Sequence, residues 1–382
     1  MVKEVKLELN SWEKKSLKKL TKKYIDLYVA LSKESKKCFR IDSHTIFNSD
    51  TKELTQQQKN KIVDYWHNYT KDFDINYHKY YIDKTGMFDV RFIPDDIFAG
   101  YIDPYLNNRE IEPGIADKNY FDLFLKGFKM PKTYVRLING IYEDENYNII
   151  PRCKVLEKLT SIKKFVVKPS TASYGGKNVT FFENATLEEI ENFININKTR
   201  NLIFQEIVDQ HESTASIHPK SLNTIRIMTL IIDNDVKVLP CAFRMGVGAA
   251  RVDNASFGGI YCKIFEDGTL SDFAYDALGH KFYKHPDGKE FSSVKIDCLD
   301  KVKDLVKKAA QRFPHFRLIG WDIGIDKEGE PIIIEANLTM SGLDVIETIC
   351  GPLFGDYTDM VLNEVFKNPI KKEISMDISQ YV

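Results

Sequence analysis

Hydrophobic residues near the start of the chain recur at the spacing of an α-helix. Five of them fall on one face of a helical wheel, and lysines occupy other positions: Leu17, Leu20, Tyr24, Tyr28 and Leu31. This periodicity predicts an amphipathic helix over residues 11–31. Aromatic-rich sequence with helical character follows, including KIVDYWHNYTKDF. Residues 1–112 are therefore predicted to form a mainly helical region.

The pattern changes after Pro113 and Gly114, which break the helical sequence. From Lys163 onward, short apolar runs typical of strands dominate: KKFVVKP, NVTFF, NLIFQEIV, TIRIMTLII, VKVLPCAFRM, GGIYCKIF, RLIGWDIGI and PIIIE. Helical spacing returns over residues 187–196 and 298–313. Hairpin-like strands mixed with isolated helices, without a repeated βαβ unit, predict an α+β fold.

The composition narrows the class of protein. A chain of 382 residues, 43% hydrophobic and 29% charged, is long enough for two or three domains. The net charge of -1 disfavours a nucleic-acid partner, because such proteins usually carry a basic excess. The first residues are charged where a signal peptide needs an apolar run, and no stretch approaches the roughly 20 apolar residues of a membrane span. A cytoplasmic protein is expected.

The stretch GWDIGIDKEGEPIIIEAN reads as a β-hairpin. If Lys327–Glu330 forms a four-residue loop, counting outward pairs Ile325 with Ile332 and brings Asp322 opposite Glu335. Opposed residues in antiparallel strands have Cβ atoms ~4.5–5.5 Å apart, and like charges at that distance destabilise the pair. A positive charge is therefore expected between the two carboxylates.

A divalent cation would provide that positive charge. Asn337, two residues beyond Glu335, lies on the same face and adds a neutral oxygen of the kind that Mg²⁺ accepts. Two small neighbours, Gly320 and Gly324, are expected to leave the face open for a bulky ligand. Asp322, Glu335 and Asn337 are thus the predicted Mg²⁺ ligands. The alternative is a pair of solvated acids near a turn.

A magnesium site with few protein ligands normally completes its shell with water and substrate phosphate, so a nucleotide is expected nearby. The segment FVVKPSTASYGGKNVTFF offers a loop between two strands whose N–H groups could fold over phosphates. The predicted phosphate-binding residues are Lys168, Ser170, Gly175 and Gly176. The alternative is a plain glycine-rich hairpin turn, and the spacing of a Walker A loop is absent.

Two further segments suit a nucleotide. The sequence LIFQEIVDQHE runs from an apolar strand into a polar break, the form of a hinge whose backbone can pair with an adenine edge. Beyond it, two strands around the turn Asp233–Asp235 carry Arg226 and Arg244. An arginine within an isoleucine-rich strand must face an anion or reach solvent. Facing a transferring phosphoryl group, Arg226 and Arg244 would offset transition-state charge, so they are the predicted catalytic residues.

The order of these features resembles an ATP-grasp protein. The closer resemblance is to the sugar-transfer associated ATP-grasp family, through DKNYF, HPKSLNTIRI, RVDNASFGGIY, HPDGKEF and GWDIGIDKEGEPIIIEANLTMSG, spread over residues 80–355. It implies two α+β subdomains that enclose ATP, at 113–208 and 209–382, behind the helical region 1–112. In one departure, Gly320 and Trp321 precede the metal aspartate, where many ATP-grasp ligases have an arginine.

The resemblance also implies residue roles. Asp322, Glu335 and Asn337 would hold two Mg²⁺ ions, while Arg226 and Arg244 would lie near the γ-phosphate and an acyl phosphate. Two lysines would contact the ATP phosphates, the hinge would contact adenine, and a histidine would lie near the ribose or phosphates. In chain order these nucleotide-binding residues are Lys118, Lys168, Gln205, Glu206, Ile207, Val208 and His211.

The acceptor substrate is expected beside the segment GVGAARVDNASFGG, residues 246–259. This segment is too glycine-rich and polar for a core strand, and it follows Arg244 directly. Binding residues are often found on such loops, although an ordinary surface loop is the alternative. The predicted substrate-binding residues are Arg251, Asp253, Asn254 and Ser341.

The family resemblance implies an ATP-dependent carboxylate–amine ligase, in which ATP phosphorylates a carboxylate and an amine attacks the acyl phosphate. It further implies surface-polysaccharide assembly, with a sugar acid as substrate or an amino acid joined to a glycan precursor. The alternatives are a kinase that phosphorylates a hydroxyl and a catalytically silent ATP-binding module. Residues 1–37 hold eleven lysines against five acids, which fits a solvated face or peripheral contact with a membrane-linked precursor.

Overall fold

The computed structural model describes residues 51–171 and 178–367 of the chain. The helix predicted over residues 11–31 lies outside these ranges, as do Gly175 and Gly176. The α-helices in the described ranges are α1 Gln56–Trp66, α2 Asn76–Thr85, α3 Asp95–Ile97, α4 Asp103–Leu106, α5 Glu112–Ile115, α6 Phe121–Phe124, α7 Arg152–Thr160, α8 Leu187–Asn197, α9 Glu212–Ala215, α10 Leu299–Ala310, α11 Leu343–Cys350 and α12 Thr358–Lys367. Within the described ranges, no helix has the length and apolar character needed to cross a membrane.

The strands form two antiparallel sheets, which confirms the α+β class. The small sheet has five strands in the order β2-β1-β5-β3-β4, and the large sheet has seven in the order β10-β9-β8-β7-β6-β11-β12. The strands are β1 Thr133–Ile138, β2 Ile141–Glu143, β3 Lys164–Pro169, β4 Thr180–Glu183, β5 Leu202–Gln205, β6 Thr224–Ile232, β7 Asp235–Met245, β8 Ile260–Lys263, β9 Ala274–Asp276, β10 Lys281–Phe282, β11 Leu318–Ile325 and β12 Pro331–Asn337.

Strands begin earlier in the chain than expected, with β1 and β2. They pair as a hairpin through Asn139 and Gly140, whose φ angles are 50° and 84°. A two-residue turn of this kind requires positive φ at both positions, and Asn-Gly is the pair that adopts it most readily. The sequence therefore did contain the signal for this hairpin.

The small sheet has one face on a hydrophobic core and the other on a cleft. Along β3, Phe165 and Val167 belong to a core cluster that includes apolar residues of α7 and α8. Lys164, Val166 and Lys168 alternate with them and line the cleft. Successive side chains of a strand point to opposite faces, so this alternation places Lys168 in the cleft.

The large sheet packs against a hydrophobic core on each face. Ile225, Ile227 and Trp321 share a core cluster with Val302 and Val306 of α10, which covers the first face. On the second face, a separate cluster joins the sheet to α1, α11 and α12. The N-terminal region from residue 51 thus shares a core with the large sheet. The predicted division into 113–208 and 209–382 stays a prediction, although the two sheets lie on either side of residue 208.

The hairpin of β11 and β12 differs from the predicted register near its loop. The loop Asp326–Glu330 has five residues rather than four, and Ile325 pairs with Pro331. The predicted pair of Ile325 with Ile332 is therefore wrong. The error arose because counting from an assumed loop length assigns every later pair, and a single extra loop residue shifts them all.

A β-bulge at Ile334 restores the pairing that matters for the site. Ile323 pairs with Ile333, and the next pair is Asp322 with Glu335, so Ile334 is the extra residue. Ile333 faces the α10 core. In a regular strand, residues two apart point to the same face, so Glu335 would face the core together with Ile333 if Ile334 did not form a bulge. The predicted opposition of Asp322 and Glu335 is confirmed, because the bulge compensates for the longer loop.

Replacing Trp66 of α1 by alanine should lower the free energy of unfolding by about 3–5 kcal/mol, as for other buried aromatic residues. Its side chain is fully buried in the core shared with the large sheet, and its indole N–H donates to the Val90 carbonyl at 3.0 Å. Urea unfolding followed by circular dichroism measures the change. Tyr283→Ala, at a side chain 69% exposed, is the control and should stay within about 0.5 kcal/mol.

Candidate functional site

A cavity of about 740 Å³ lies between the two sheets. The cleft faces of β3 and β4 form one wall, and those of β6, β7, β11 and β12 form the other. Most of the predicted site residues line it: Lys118, Lys168, Glu206, Ile207, Val208, Arg226, Arg244, Arg251, Asp253, Asn254, Asp322, Glu335 and Asn337. Residues predicted from separate motifs are thus brought together at one place.

Gln205 and His211, both predicted to bind the nucleotide, do not line the cavity. Gln205 is buried in β5, and its amide donates to Thr133 Oγ1 at 3.3 Å. His211 caps the N-terminus of α9, where its Nδ1 accepts the backbone N–H of Ser213 at 3.3 Å. Both polar side chains therefore have partners within the protein.

The side chains of Ser170 and Ser341 are fully buried, and both residues contribute to the site through their backbone carbonyl groups. The Ser170 carbonyl accepts the N–H of Lys118 at 2.9 Å, and the Ser341 carbonyl accepts Nη1 of Arg226 at 2.7 Å. A Cβ on Gly320 would lie 2.8 Å from the Ser341 carbonyl oxygen, so only glycine permits this approach. The space that Gly320 was expected to leave for a ligand is filled by the chain itself.

At the centre of the large-sheet wall, two arginines bind one carboxylate. Arg226 Nε lies 2.7 Å and Arg244 Nη1 lies 2.9 Å from Asp322 Oδ1, and Arg226 Nη2 lies 3.1 Å from Oδ2. Burial disfavours the charged form of Asp322, but the two guanidinium groups outweigh burial and hold the pKa of this carboxyl below its usual range. Asp322 is thus a carboxylate fixed between two positive charges.

Glu335, opposite Asp322, has a different partner. Lys118 Nζ lies 2.8 Å from Glu335 Oε1. In the sequence argument, a divalent cation supplied the positive charge between the two opposed carboxylates. Lysine and arginine side chains from other segments, which the hairpin sequence does not reveal, already balance both acids, so charge balance alone does not call for a metal. The case for a metal therefore rests on the type and arrangement of the ligands.

By ligand type, Asp322, Glu335 and Asn337 fit a hard divalent cation such as Mg²⁺. The Asn337 amide nitrogen donates to the Gly320 carbonyl at 3.1 Å, which leaves its Oδ1 for a ligand. The Glu335 side chain is 30% exposed, towards the cavity. Each carboxylate oxygen has two lone pairs, so Asp322 can bind a cation while it accepts from the arginines. The residues present fit the metal.

Lys168 reaches into the cavity from β3. Its side chain is half-buried in the cavity wall. Burial lowers the pKa of Lys168 to about 8; the charge of Glu335 opposes this shift and that of Lys118 adds to it. A bound anion beside Lys168 would therefore favour the protonated form of this lysine.

The segment Glu206–Val208 follows β5 and lines the cavity where the chain passes between the sheets. The N–H of Glu206 donates to the Lys132 carbonyl at 2.9 Å, on the small-sheet side. A few residues later, the N–H of His211 donates to the carbonyl of Ile325 in the large sheet at 2.9 Å. The segment thus has the position of a hinge between sheets, and its contact with adenine stays a prediction.

Asp253, predicted to bind substrate, is held by protein groups. Its Oδ2 accepts the backbone N–H of Thr224 at 3.1 Å and also the Thr224 hydroxyl, and its Oδ1 lies 3.5 Å from Arg244 Nη2. A Cβ on Gly259 would lie 2.4 Å from the Asp253 carbonyl, so glycine is needed for this packing. In this geometry, Asp253 positions the Arg244 side chain. Asn254 lines the cavity next to it.

Arg251 joins the loop after β7 to the small sheet. Its Nη2 lies 2.5 Å from Glu183 Oε1 of β4, and its guanidinium carbon lies 4.2 Å from the centroid of the Phe181 ring. Sequence reasoning missed Phe181 and Glu183, as well as Asp344 at the start of α11, which also lines the cavity. No local motif marks these residues, because their place in the site arises only when distant segments pack.

The two sheets, with lysines on one side and the arginine–carboxylate group on the other, define an ATP-grasp protein. The sequence profile of the sugar-transfer associated ATP-grasp family matches residues 99–352. The chain belongs to this family, and the resemblance stated from its sequence motifs is confirmed.

Several solved structures are similar to this chain. The ATP-grasp ligase PsnB, complexed with minimal precursor, Mg and ADP, shares 14% identity over 68% of this chain and 62% of its own, with a TM-score of 0.41. D-cycloserine synthetase DcsG shares 14% over 66% and 70%, with a TM-score of 0.41. An L-amino acid ligase from Bacillus licheniformis shares 18% over 66% and 48%, with a TM-score of 0.38. The chain thus spans less than two thirds of the PsnB chain. No curated protein matches its sequence significantly.

Alanine at Asp322 should destabilise the fold more than alanine at Glu335. Removing Asp322 leaves Arg226 and Arg244 without their shared carboxylate, and breaking such a buried pair costs about 3–5 kcal/mol. Glu335 is partly exposed and pairs with one lysine, so its loss should cost less than about 1 kcal/mol. Urea unfolding of the two variants, without added divalent cation, measures the difference. Equal stabilities would show that Asp322 does not organise the arginines.

Proposed function

We propose that the protein is an ATP-dependent carboxylate–amine ligase that forms ADP. The γ-phosphoryl group of ATP would pass to a carboxylate oxygen, giving ADP and an acyl phosphate. An amine would then attack the acyl carbon, forming the amide and releasing phosphate. This chemistry needs no protein nucleophile; it needs in-line positioning and positive charge around the phosphoryl group. The observation that supports it is the pair Arg226 and Arg244, held by Asp322 on the cavity wall.

The two arginines would stabilise charge rather than take part in covalent steps. Negative charge develops on the phosphoryl oxygens and on the acyl phosphate, and guanidinium groups already in place lower its free energy without reorganisation. Asp322 and the Ser341 carbonyl fix Arg226, while Asp322 and Asp253 fix Arg244. This preorganisation compensates for the absence of an arginine directly before Asp322.

ATP would lie with its phosphates beside Lys118 and Lys168 and its adenine against Glu206–Val208. Lysine ammonium groups bind phosphate as point charges. Mg²⁺ held by residues of the opposite wall would supply positive charge that offsets the phosphate charge. We infer that two such ions are held by Asp322, Glu335 and Asn337.

The substrate carboxylate would lie near the arginines, and Arg251 and Asn254 line the cavity on the side proposed for the acceptor. A site with several basic side chains favours an anionic ligand. Together with the family assignment, this supports a sugar acid as substrate, or an amino acid joined to a glycan precursor, in surface-polysaccharide assembly. We infer a cytoplasmic site of action, with peripheral contact with membrane-linked glycan precursors.

Mass spectrometry of incubations with ATP, Mg²⁺, uronic acids and amino acids tests the proposal. Hydroxylamine added to a parallel set replaces the amine and converts an acyl phosphate into a stable hydroxamate. An amide or hydroxamate, formed with one ADP per bond, is expected for the carboxylate that the enzyme accepts. Arg244→Lys, which keeps the charge but loses the planar fork, should reduce the rate. A phosphorylated hydroxyl in place of an amide would instead establish a kinase.

ATP affinity should fall as the pH rises above about 8. Lys168 loses its proton near this pH in the free protein, and ATP phosphates favour its charged form, so ATP binding at higher pH must take up a proton. From pH 7 to pH 9 the affinity should weaken by up to about tenfold, since one pKa unit corresponds to about 1.4 kcal/mol. Calorimetry in buffers of different ionisation enthalpy measures both effects. Lys168→Arg keeps its charge at pH 9 and should remove most of the pH dependence.

A further inference from the structure

Outside the cavity, two histidines and an aspartate converge behind the loop that follows β7. His218, His285 and Asp287 each offer one ligand atom, and these atoms lie within 4.8 Å of one another. Both histidines are fully buried, whereas the Asp287 side chain is 32% exposed. His218 follows α9, while His285 and Asp287 follow β10. The proposed ligase chemistry uses none of the three.

Hydrogen bonds fix which ring nitrogen of each histidine carries a hydrogen. His218 Nε2 lies 3.1 Å from the Ala250 carbonyl oxygen, and His285 Nε2 lies 2.8 Å from the Gly246 carbonyl oxygen. A carbonyl oxygen only accepts, so Nε2 is the N–H donor in both rings. In the neutral form of such a ring, Nδ1 presents a lone pair.

The two Nδ1 atoms face the same carboxylate. Asp287 Oδ2 lies 2.8 Å from His218 Nδ1 and 3.7 Å from His285 Nδ1. Backbone N–H groups also contribute: that of Gly248 donates to Asp287 Oδ1 at 3.0 Å, and that of Asp287 donates to His285 Nδ1 at 3.1 Å, a contact that an ion bound to this Nδ1 would replace. Within the described ranges, no lysine or arginine forms an ion pair with Asp287. The positive charge among these atoms must therefore be a proton on His218 or a metal ion.

We propose that His218, His285 and Asp287 form a binding site for a divalent transition metal of the Zn²⁺ type. Imidazole nitrogen and carboxylate oxygen are ligands that Zn²⁺ accepts, and three protein ligands leave a position for water. Metal-binding histidines usually donate their other N–H to a carbonyl or carboxylate, which orients the ring, and both histidines do so here. The exposed side of Asp287 gives the ion access from solvent.

The metal would stabilise a loop rather than take part in chemistry. The carbonyls of Gly246 and Ala250, which hold the two rings, bracket the start of the loop that carries Arg251 and Asp253. A Cβ on Gly246 would lie 2.9 Å from His218 Nε2, so the backbone approaches the ring closely. Metal binding would therefore order the loop through the rings, and this site is separate from Asp322, Glu335 and Asn337.

Calorimetric titration of Zn²⁺ into the full chain tests this proposal, with Mg²⁺ in excess to compete at the cavity carboxylates. We expect one equivalent of tightly bound Zn²⁺ and a rise in the thermal unfolding midpoint. Asp287→Asn should weaken Zn²⁺ binding by at least about 100-fold, because loss of an outer partner alone costs about 10–100-fold. His218→Asn and His285→Asn should do the same. Asp287→Asn alters a partly exposed side chain, so it keeps the test valid if a histidine variant fails to fold.

The matched control is His280→Asn, at an exposed histidine whose Nδ1 lies 2.8 Å from Asp276 Oδ2 but which belongs to no group of three potential ligands in the described ranges. It should keep the wild-type Zn²⁺ affinity, and so should Glu335→Gln, which probes binding in the cavity. Lack of Zn²⁺ binding by the wild type, or binding retained in Asp287→Asn, would overturn the proposal and identify the charge as a proton on His218. These readouts involve neither ATP nor substrate, so they are independent of the ligase proposal.

Discussion

The contact of Asp322 with Arg226 and Arg244 is the interaction on which the site depends. An unpaired guanidinium group buried in a sheet face would be costly, and a carboxylate between two of them offsets that cost. One carboxylate cannot neutralise two arginines, and Asp253, whose Oδ1 lies 3.5 Å from Arg244 Nη2, supplies a second negative charge. The sheet is thus stable without a ligand, while Lys168 on the opposite wall of the cavity adds a positive charge that favours an anionic one.

One face of the large sheet both packs against the N-terminal helices and lines the cavity. Different parts of the same strands serve these two roles. On β6, Met228 and Leu230 pack under the N-terminal helices, while Thr224 and Arg226 on the same face open to the cavity. Binding groups therefore stand on strands that are fixed by a core a few residues away. Rigid elements of this kind hold side chains more accurately than free loops do. The helices between residues 51 and 113 are in this sense part of the support of the site.

The sequence predicted the fold class, the two arginine strands and the opposition of Asp322 with Glu335, because each follows from local periodicity and pairing rules. It could not supply partners from distant segments. Lys118 meets Glu335, and Thr224 meets Asp253, only in the folded chain. Judged from the sequence alone, the hairpin therefore carried an unbalanced negative charge, and the Asp253 carboxylate was free to bind substrate. The bulge at Ile334 was also beyond pattern reasoning, because an isoleucine run has no period that marks an extra residue.

That bulge has a consequence for how this hairpin can change during evolution. The loop Asp326–Glu330 lies beyond the paired residues, so gain or loss of a loop residue leaves the register of Asp322 and Glu335 to the strands. Deleting Ile334 would remove the bulge and place Glu335 directly after Ile333, so the carboxylate would stay on the cavity face opposite Asp322. Length variation among relatives should therefore be found in the loop and at the bulge position. An alignment gap at Ile334 would mark a chain with a regular hairpin that keeps its second acidic residue.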